Sequence, residues 1–222
     1  MTNRNATASA DGWYFHVQGF NQYDQPNGTL DLGPYLSDNT APDAPVVIDD
    51  GATSGSLTSL HATWSAVDDQ SGIGRYEYAV GTTAGATDVL DWTAASPETA
   101  TEVTQPGLSL VDGQTYYISV KARNNAQLWS SVGTSDGIIV QAPETSILGG
   151  KALPDGSSVK ITLRTVTAVY GGAFYIEEAD RYAGIKVLSA ASVTRGQVVD
   201  VIGTVQTADG ERYIAATAVT VH

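Results

Sequence analysis

The run Leu110-Val111-Asp112-Gly113-Gln114-Thr115-Tyr116-Tyr117-Ile118-Ser119-Val120-Lys121-Ala122 decides how the centre of the chain folds. After Gly113 it is rich in β-branched and aromatic residues, and Val120 and Ala122 alternate as the inward side of a strand does. Two runs nearer the N-terminus carry the same period. Leu60, Ala62 and Trp64 share one face of an extended segment, and so do Tyr76, Tyr78 and Val80. With Val46 to Ile48, Leu57 to Ala66, Gly74 to Val80, Val89 to Thr93, Thr99 to Val103, Thr115 to Ala122 and Gly137 to Gln141, the sequence predicts seven short strands over residues 43–142. Turns between strands of that length are the pattern of an antiparallel sandwich.

This stretch resembles a fibronectin type III module of the kind found in bacterial surface and secreted proteins. Trp64 matches the core tryptophan of the second strand, and Leu110, Gly113 and Tyr116 match the Leu-x-x-Gly-x-x-Tyr pattern of the tyrosine corner. The resemblance implies that Trp64, Leu110 and Tyr116 are structural core, with the Tyr116 hydroxyl tying a crossover loop to the sheet. Val120 and Ala122 match the core positions of the sixth strand, Asn124 the turn after it, and Ser71-Gly72-Ile73 is familiar from bacterial versions. Fold does not give function, and the sequence has no Arg-Gly-Asp tripeptide.

Residues 11–42 read as the closing hairpin of a second, truncated module. Trp13-Tyr14-Phe15-His16-Val17 aligns with Tyr116-Tyr117-Ile118-Ser119-Val120, Asn21 falls opposite Asn124, and Asn27-Gly28 sits in the loop before a second run from Thr29 to Leu36. A lone hairpin is marginal in water, so Trp13, Tyr14, Phe15 and Phe20 are candidate assembly contacts, by packing on a neighbour or by strand donation. Residues 1–10 are polar and read as a flexible or disordered leader.

A Pro- and Gly-containing linker is expected over 143–156, followed by a third unit at 157–222. Val159, Ile161 and Leu163 alternate in one parity and Val166, Ala168 and Tyr170 in the other, so one long strand must carry a bulge. Four more strands follow (Ala173 to Glu178, Gly184 to Leu188, Val198 to Gln206, Arg212 to Val221), with a hairpin signal at Ala208-Asp209-Gly210. Five strands with a bent first one resemble a small OB-fold barrel. The link from Ser189 to Thr194 departs from that pattern, leaving little room for the usual helix. The expected fold class is therefore all-β: a fibronectin type III-like sandwich and a five-stranded OB-like barrel, preceded by an orphan hairpin.

Composition excludes several classes. No cysteine is present, which removes disulfides, thiolate metal sites and cysteine nucleophiles. The net charge of −13 lies wholly in residues 1–144, which carry 4 Lys+Arg against 17 Asp+Glu, while residues 145–222 carry 7 of each. An acidic surface repels nucleic acid and anionic membranes. No run of eighteen apolar residues could span a bilayer. The expected location is extracellular or cell-surface, with an export signal lost along with a missing N-terminus.

Chemistry is sparse in the sequence. His16, His61 and His222 have no ligand spacing, and neither a nucleophile elbow nor a phosphate loop occurs. Asp49-Asp50 and Asp68-Asp69 could contribute oxygens to calcium, but no EF-hand spacing supports it, so no cofactor or metal is expected. On the third unit Tyr175, Tyr182 and Tyr213 with Lys186 are candidate ligand contacts, since sugars and bases stack on aromatic rings. The sequence thus points to a non-enzymatic structural or adhesion module, a filament or surface-assembly subunit whose partners are other chains or modules. A carbohydrate-binding accessory segment of a secreted hydrolase is the alternative, and single-stranded nucleic-acid binding by the barrel a third reading.

Overall fold

The computed structural model describes residues 4–9, 12–35 and 38–222. The outer ends of the expected leader and hairpin, residues 1–3, 10–11 and 36–37, lie outside the described residues. Residues 43–142 form a two-sheet sandwich. One sheet has the order β4 (Val46–Asp49), β6 (Leu60–Ser65), β9 (Glu102–Gln105). The other runs β5 (Thr53–Ser54), β12 (Ile138–Val140), β10 (Thr115–Asn124), β7 (Ile73–Gly81), β8 (Leu90–Ala94), with β11 (Gly133–Thr134) also on β10. Alternation puts Leu60, Ala62 and Trp64 of one sheet against Tyr76, Tyr78, Ile118 and Val120 of the other, all nearly or fully buried. Trp64 lies with its ring centroid 6.0 Å from Tyr76 and 5.9 Å from Tyr78. This is a fibronectin type III-like sandwich.

Residues 158–221 close into a barrel of order β13 (Ser158–Tyr170), β14 (Ala173–Glu177), β15 (Gly184–Leu188), β17 (Glu211–Val221), β16 (Val198–Ala208). Every ladder is antiparallel except β15 with β17, so the closed five-stranded barrel holds one parallel pair. The parity switch in β13 is a register shift between Ile161 and Arg164, where Leu163 takes a positive φ of 54°. Bending there lets Ile161 and Val166 both enter the core beside Phe174, Ile176 and Ile214. Asp209 and Gly210, with φ of 51° and 79°, make the two-residue turn between β16 and β17.

Two expected unstructured stretches are ordered. Arg4–Ser9, taken as a flexible or disordered leader, is strand β1, paired antiparallel with β2 (Gly12–Phe20), which pairs in turn with β3 (Pro26–Tyr35). Polar residues suffice for an outer strand because its backbone is bonded on one side only. The expected linker 143–156 holds helix α1 (Ile147–Ala152), N-capped by Ser146, whose side chain accepts from the Gly149 amide. Ile147 is fully buried in the barrel core, and its amide donates to Glu178 at 2.6 Å. The helix closes the barrel from a position before β13, while the segment between β15 and β16 stays non-helical.

Candidate interaction surfaces

The N-terminal sheet is two-faced. Register sets Phe15 beside Leu32 and Val17 beside Leu30, and it sets His16 beside Asp31 and Gln18 beside Thr29. Alternation therefore collects Trp13, Phe15, Val17, Leu30 and Leu32 on one face. The other holds Tyr14, His16 and Gln18, with His16 Nδ1 2.5 Å from Asp31 and stacked on Tyr14. The apolar face is left half open: Trp13 is 47% exposed, Leu30 57% and Leu32 41%. Of the four expected contact residues, Trp13 and Phe15 share this face. Tyr14 lies on the other, and Phe20, beyond a register shift at the end of β2, is 45% exposed.

The turn after β2 repeats the backbone bonds of the turn after β10, though Asn21 Oδ1 also accepts the Tyr23 amide at 2.9 Å. The Asn21 amide donates to the Gln25 carbonyl at 2.9 Å, and Asn124 to Leu128 at 3.0 Å; Asp24 and Gln127 donate back to the asparagine carbonyls at 3.1 Å. Asp24 and Gln127 both have positive φ, 54° and 72°. The side-chain oxygen of Asn21 accepts from Gln25 at 3.0 Å, and that of Asn124 from Leu128 at 2.8 Å. The copies differ at the amide nitrogen. Asn124 Nδ2 donates to Asp38 Oδ2 at 2.7 Å, to the Thr40 carbonyl at 2.9 Å and to Asp68 Oδ2 at 3.0 Å, so it clips the incoming chain to the sandwich. Ser71 adds a 2.5 Å bond to the same Asp38 oxygen. The bond from Asn124, ahead of an opposing cost of burial and with the Ser71 and Gly72 amides, holds the Asp68 carboxyl below its ordinary pKa.

At the other end the sandwich docks on the barrel. The buried Leu57 amide donates to Ser158 Oγ at 2.8 Å, Lys160 Nζ reaches Asp112 at 3.2 Å, and Ile202 packs on the sandwich core. Asp112 also accepts the Ala142 amide at 2.7 Å. Pro143 and Thr145 exchange backbone bonds with Lys160, so the connection runs as an extra strand along β13.

On the barrel the register aligns Tyr175, Lys186 and Tyr213 in one row across β14, β15 and β17. Tyr182 stands apart in the turn after β14, 81% exposed. Glu211, which the sequence did not single out, ties the row together. It accepts from the Tyr175 hydroxyl at 2.7 Å and from Lys186 at 3.3 Å. That acceptor raises the Tyr175 pKa, and the phenol in turn lowers that of Glu211. Open depressions of about 460 and 270 Å³ flank Glu211 and Lys186.

Trp64, Leu110 and Tyr116 are buried in the sandwich, and Tyr116 Oη accepts the Val111 amide at 2.9 Å. A second aromatic set escaped sequence reading. Lys121 Nζ lies 4.4 Å from the Trp92 ring centroid and 4.7 Å from that of Trp129, and pairs with Glu77 at 2.9 Å. Its signal was the odd-numbered outward positions of β10, Lys121 and Arg123, which invite aromatic partners. The histidines lie apart, each on one aspartate: His16 on Asp31, His61 on Asp50, His222 on Asp200. Among the described residues no three His, Asp or Glu side chains converge as a metal site, and no helix is long and apolar enough to cross a membrane.

No family model matches the chain, and none of the curated proteins does. Solved structures similar to it include titin domains A168–A170, at 19% identity and a TM-score of 0.41, covering 62% of this chain and 49% of that one. The kinase region of twitchin from C. elegans follows at 11% and 0.33, covering 66% and 31%. The FN1–FN3 domains of chicken CNTN1 stand at 10% and 0.32, covering 95% and 77%. This chain thus spans about half the length of the titin segment.

Proposed function

We propose that this chain is a non-enzymatic structural and adhesion unit of an extracellular or cell-surface protein, of the kind bacteria export, that holds its contact surfaces at a fixed spacing. The docked junction carries the reading. Leu57 with Ser158, Asp112 with Lys160, and Ile202 on the sandwich core join two sealed cores directly, where a flexible tether would leave them independent. NMR relaxation tests it. Sandwich and barrel should tumble with one correlation time, and the double variant Ser158→Ala/Lys160→Ala should separate them. Independent tumbling of the unaltered chain overturns the reading.

Glycan binding by the barrel is the second reading, favoured by the row of Tyr175, Lys186 and Tyr213 beside two depressions. It requires retention on an immobilised polysaccharide that Tyr175→Ala or Tyr213→Ala abolishes. A salt-sensitive mobility shift with single-stranded DNA, and no retention, would assign the row to nucleic acid instead.

A further inference from the structure

We propose that an open depression over the outward side of β13 and β14 takes a carboxylate-bearing sugar, a uronic acid residue of an acidic polysaccharide. The barrel's charges point there. Residues 145–222 hold seven Lys and Arg. Lys160 is on Asp112, Arg164 on Glu178, Lys186 on Glu211, Arg212 on Asp155, and Lys151 on the Gly184 carbonyl. The two left over, Arg181 and Arg195, are exposed and have no side-chain partner among the described residues. Both line the same depression, of about 580 Å³, within the range of roughly 300–1,000 Å³ typical of small-ligand sites. The site uses neither Lys186 nor Tyr213, so it goes beyond the row described above.

Backbone bonds fix the two arginines at its rim. The Gly196 amide donates to the Val166 carbonyl and the Val166 amide to the Gln197 carbonyl, each at 2.8 Å, which fastens the segment of Arg195 along β13. Arg181 lies in the turn after β14, where its amide donates to the Glu178 carbonyl at 2.9 Å and its φ is 62°. Between them the β13–β14 register sets Thr165 beside Glu177. Tyr170, 65% exposed, stands edge-on to Tyr175 with ring centroids 6.0 Å apart. Each group suits one part of an acidic sugar. A guanidinium fork matches a carboxylate in two parallel hydrogen bonds, and the open Tyr170 ring offers an apolar surface to the C–H face of a pyranose. Glu177, the one acid lining the depression, has no ion pair and can accept from sugar hydroxyls. A neutral sugar leaves both arginines unmatched. A single-stranded DNA backbone has no donor for Glu177, and its charge at every link is repelled by a chain of net charge −13.

Calorimetric titration of the full chain tests the assignment, with hexamers of galacturonate and of mannuronate, their methyl esters, and oligo-dT as probes. At least one uronate hexamer should bind, and esterifying its carboxylates should weaken it about tenfold or more. Arg181→Gln and Arg195→Gln should each weaken binding about tenfold, and together about a hundredfold. The ester comparison uses the unaltered chain, so it stands even where an arginine variant fails to fold. Uronate binding without retention on a neutral polysaccharide supports this site and removes the row of Tyr175, Lys186 and Tyr213. Loss of uronate binding in Tyr213→Ala but not in the arginine variants does the reverse: it leaves glycan binding to the row and overturns this proposal. No binding of either hexamer at millimolar concentration, esters that bind as well as acids, or oligo-dT held more tightly than both would also overturn it.

Discussion

Replacing Asn124 by alanine removes the clip between the incoming chain and the sandwich. The side chain is 1% exposed and has three acceptors around Nδ2, but only two protons to give them. Two charge-assisted bonds are therefore lost, not three, and water at the half-open Asp38 and Asp68 carboxylates recovers part of their value. The Leu128 amide also loses its acceptor. The sum is about 3 kcal/mol, and for a domain of about 100 residues that lowers Tm by roughly 15 °C. Asn21→Ala is the internal control. It has the same turn, its exposed Oδ1 accepts from the Tyr23 and Gln25 amides, and Nδ2 has no partner among the described residues, so it should cost under about 1 kcal/mol. Urea unfolding followed by Trp fluorescence, with amide exchange at Thr40 and Leu128, measures both. Equal losses for the two variants, or an Asn124→Ala change within about 0.5 kcal/mol of the unaltered chain, would refute the reasoning.

Other expectations rest on single contacts. Because the Asp68 pKa is depressed, its contribution is complete above the unfolded value near 3.8 and vanishes as pH falls through the lower folded one. Exchange at the Ser71 and Gly72 amides should therefore rise only below about pH 3.8. Tyr116→Phe leaves the Val111 amide without its acceptor and should cost about 1 kcal/mol by chemical denaturation. Glu211→Gln should bring the raised Tyr175 pKa back toward its ordinary value of 10.0, read from ultraviolet titration of the phenol; no movement would separate the two groups in solution. Trp129→Ala, which uncovers one side of Lys121, should lower stability by about 1 kcal/mol, and adding Lys121→Ala should cost less than the sum.

What the sequence disclosed was periodicity, and periodicity is local. Leu60, Ala62 and Trp64, the parity switch between Leu163 and Val166, and the Asp209-Gly210 turn all announce themselves within a few residues, and each names its element. Contacts across long separations left no such mark. Glu211 reaches Tyr175 only because β15 runs parallel to β17, and Lys121 meets Trp92 and Trp129 only once three segments have converged. Strand β1 was missed because an outer strand needs no apolar side chain to be held. Helix α1 was missed because six residues with Gly149-Gly150 are poor helix material, stabilised here by the Ser146 cap and the burial of Ile147.

The parallel pairing of β5 with β12 has a mechanical consequence. The chain comes in beside Asn124, at the far end of β10, and leaves through β12 at the near end, where Ile138 and Ile139 lie beside Tyr116 and Thr115. Tension along the polypeptide drags β12 past β5, loading the bonds from Ile139 to Ala52 and from Gln141 to Ser54 together. Hydrogen bonds sheared in parallel must yield at once, whereas bonds peeled from one end yield singly. A unit built this way resists being drawn out as thread.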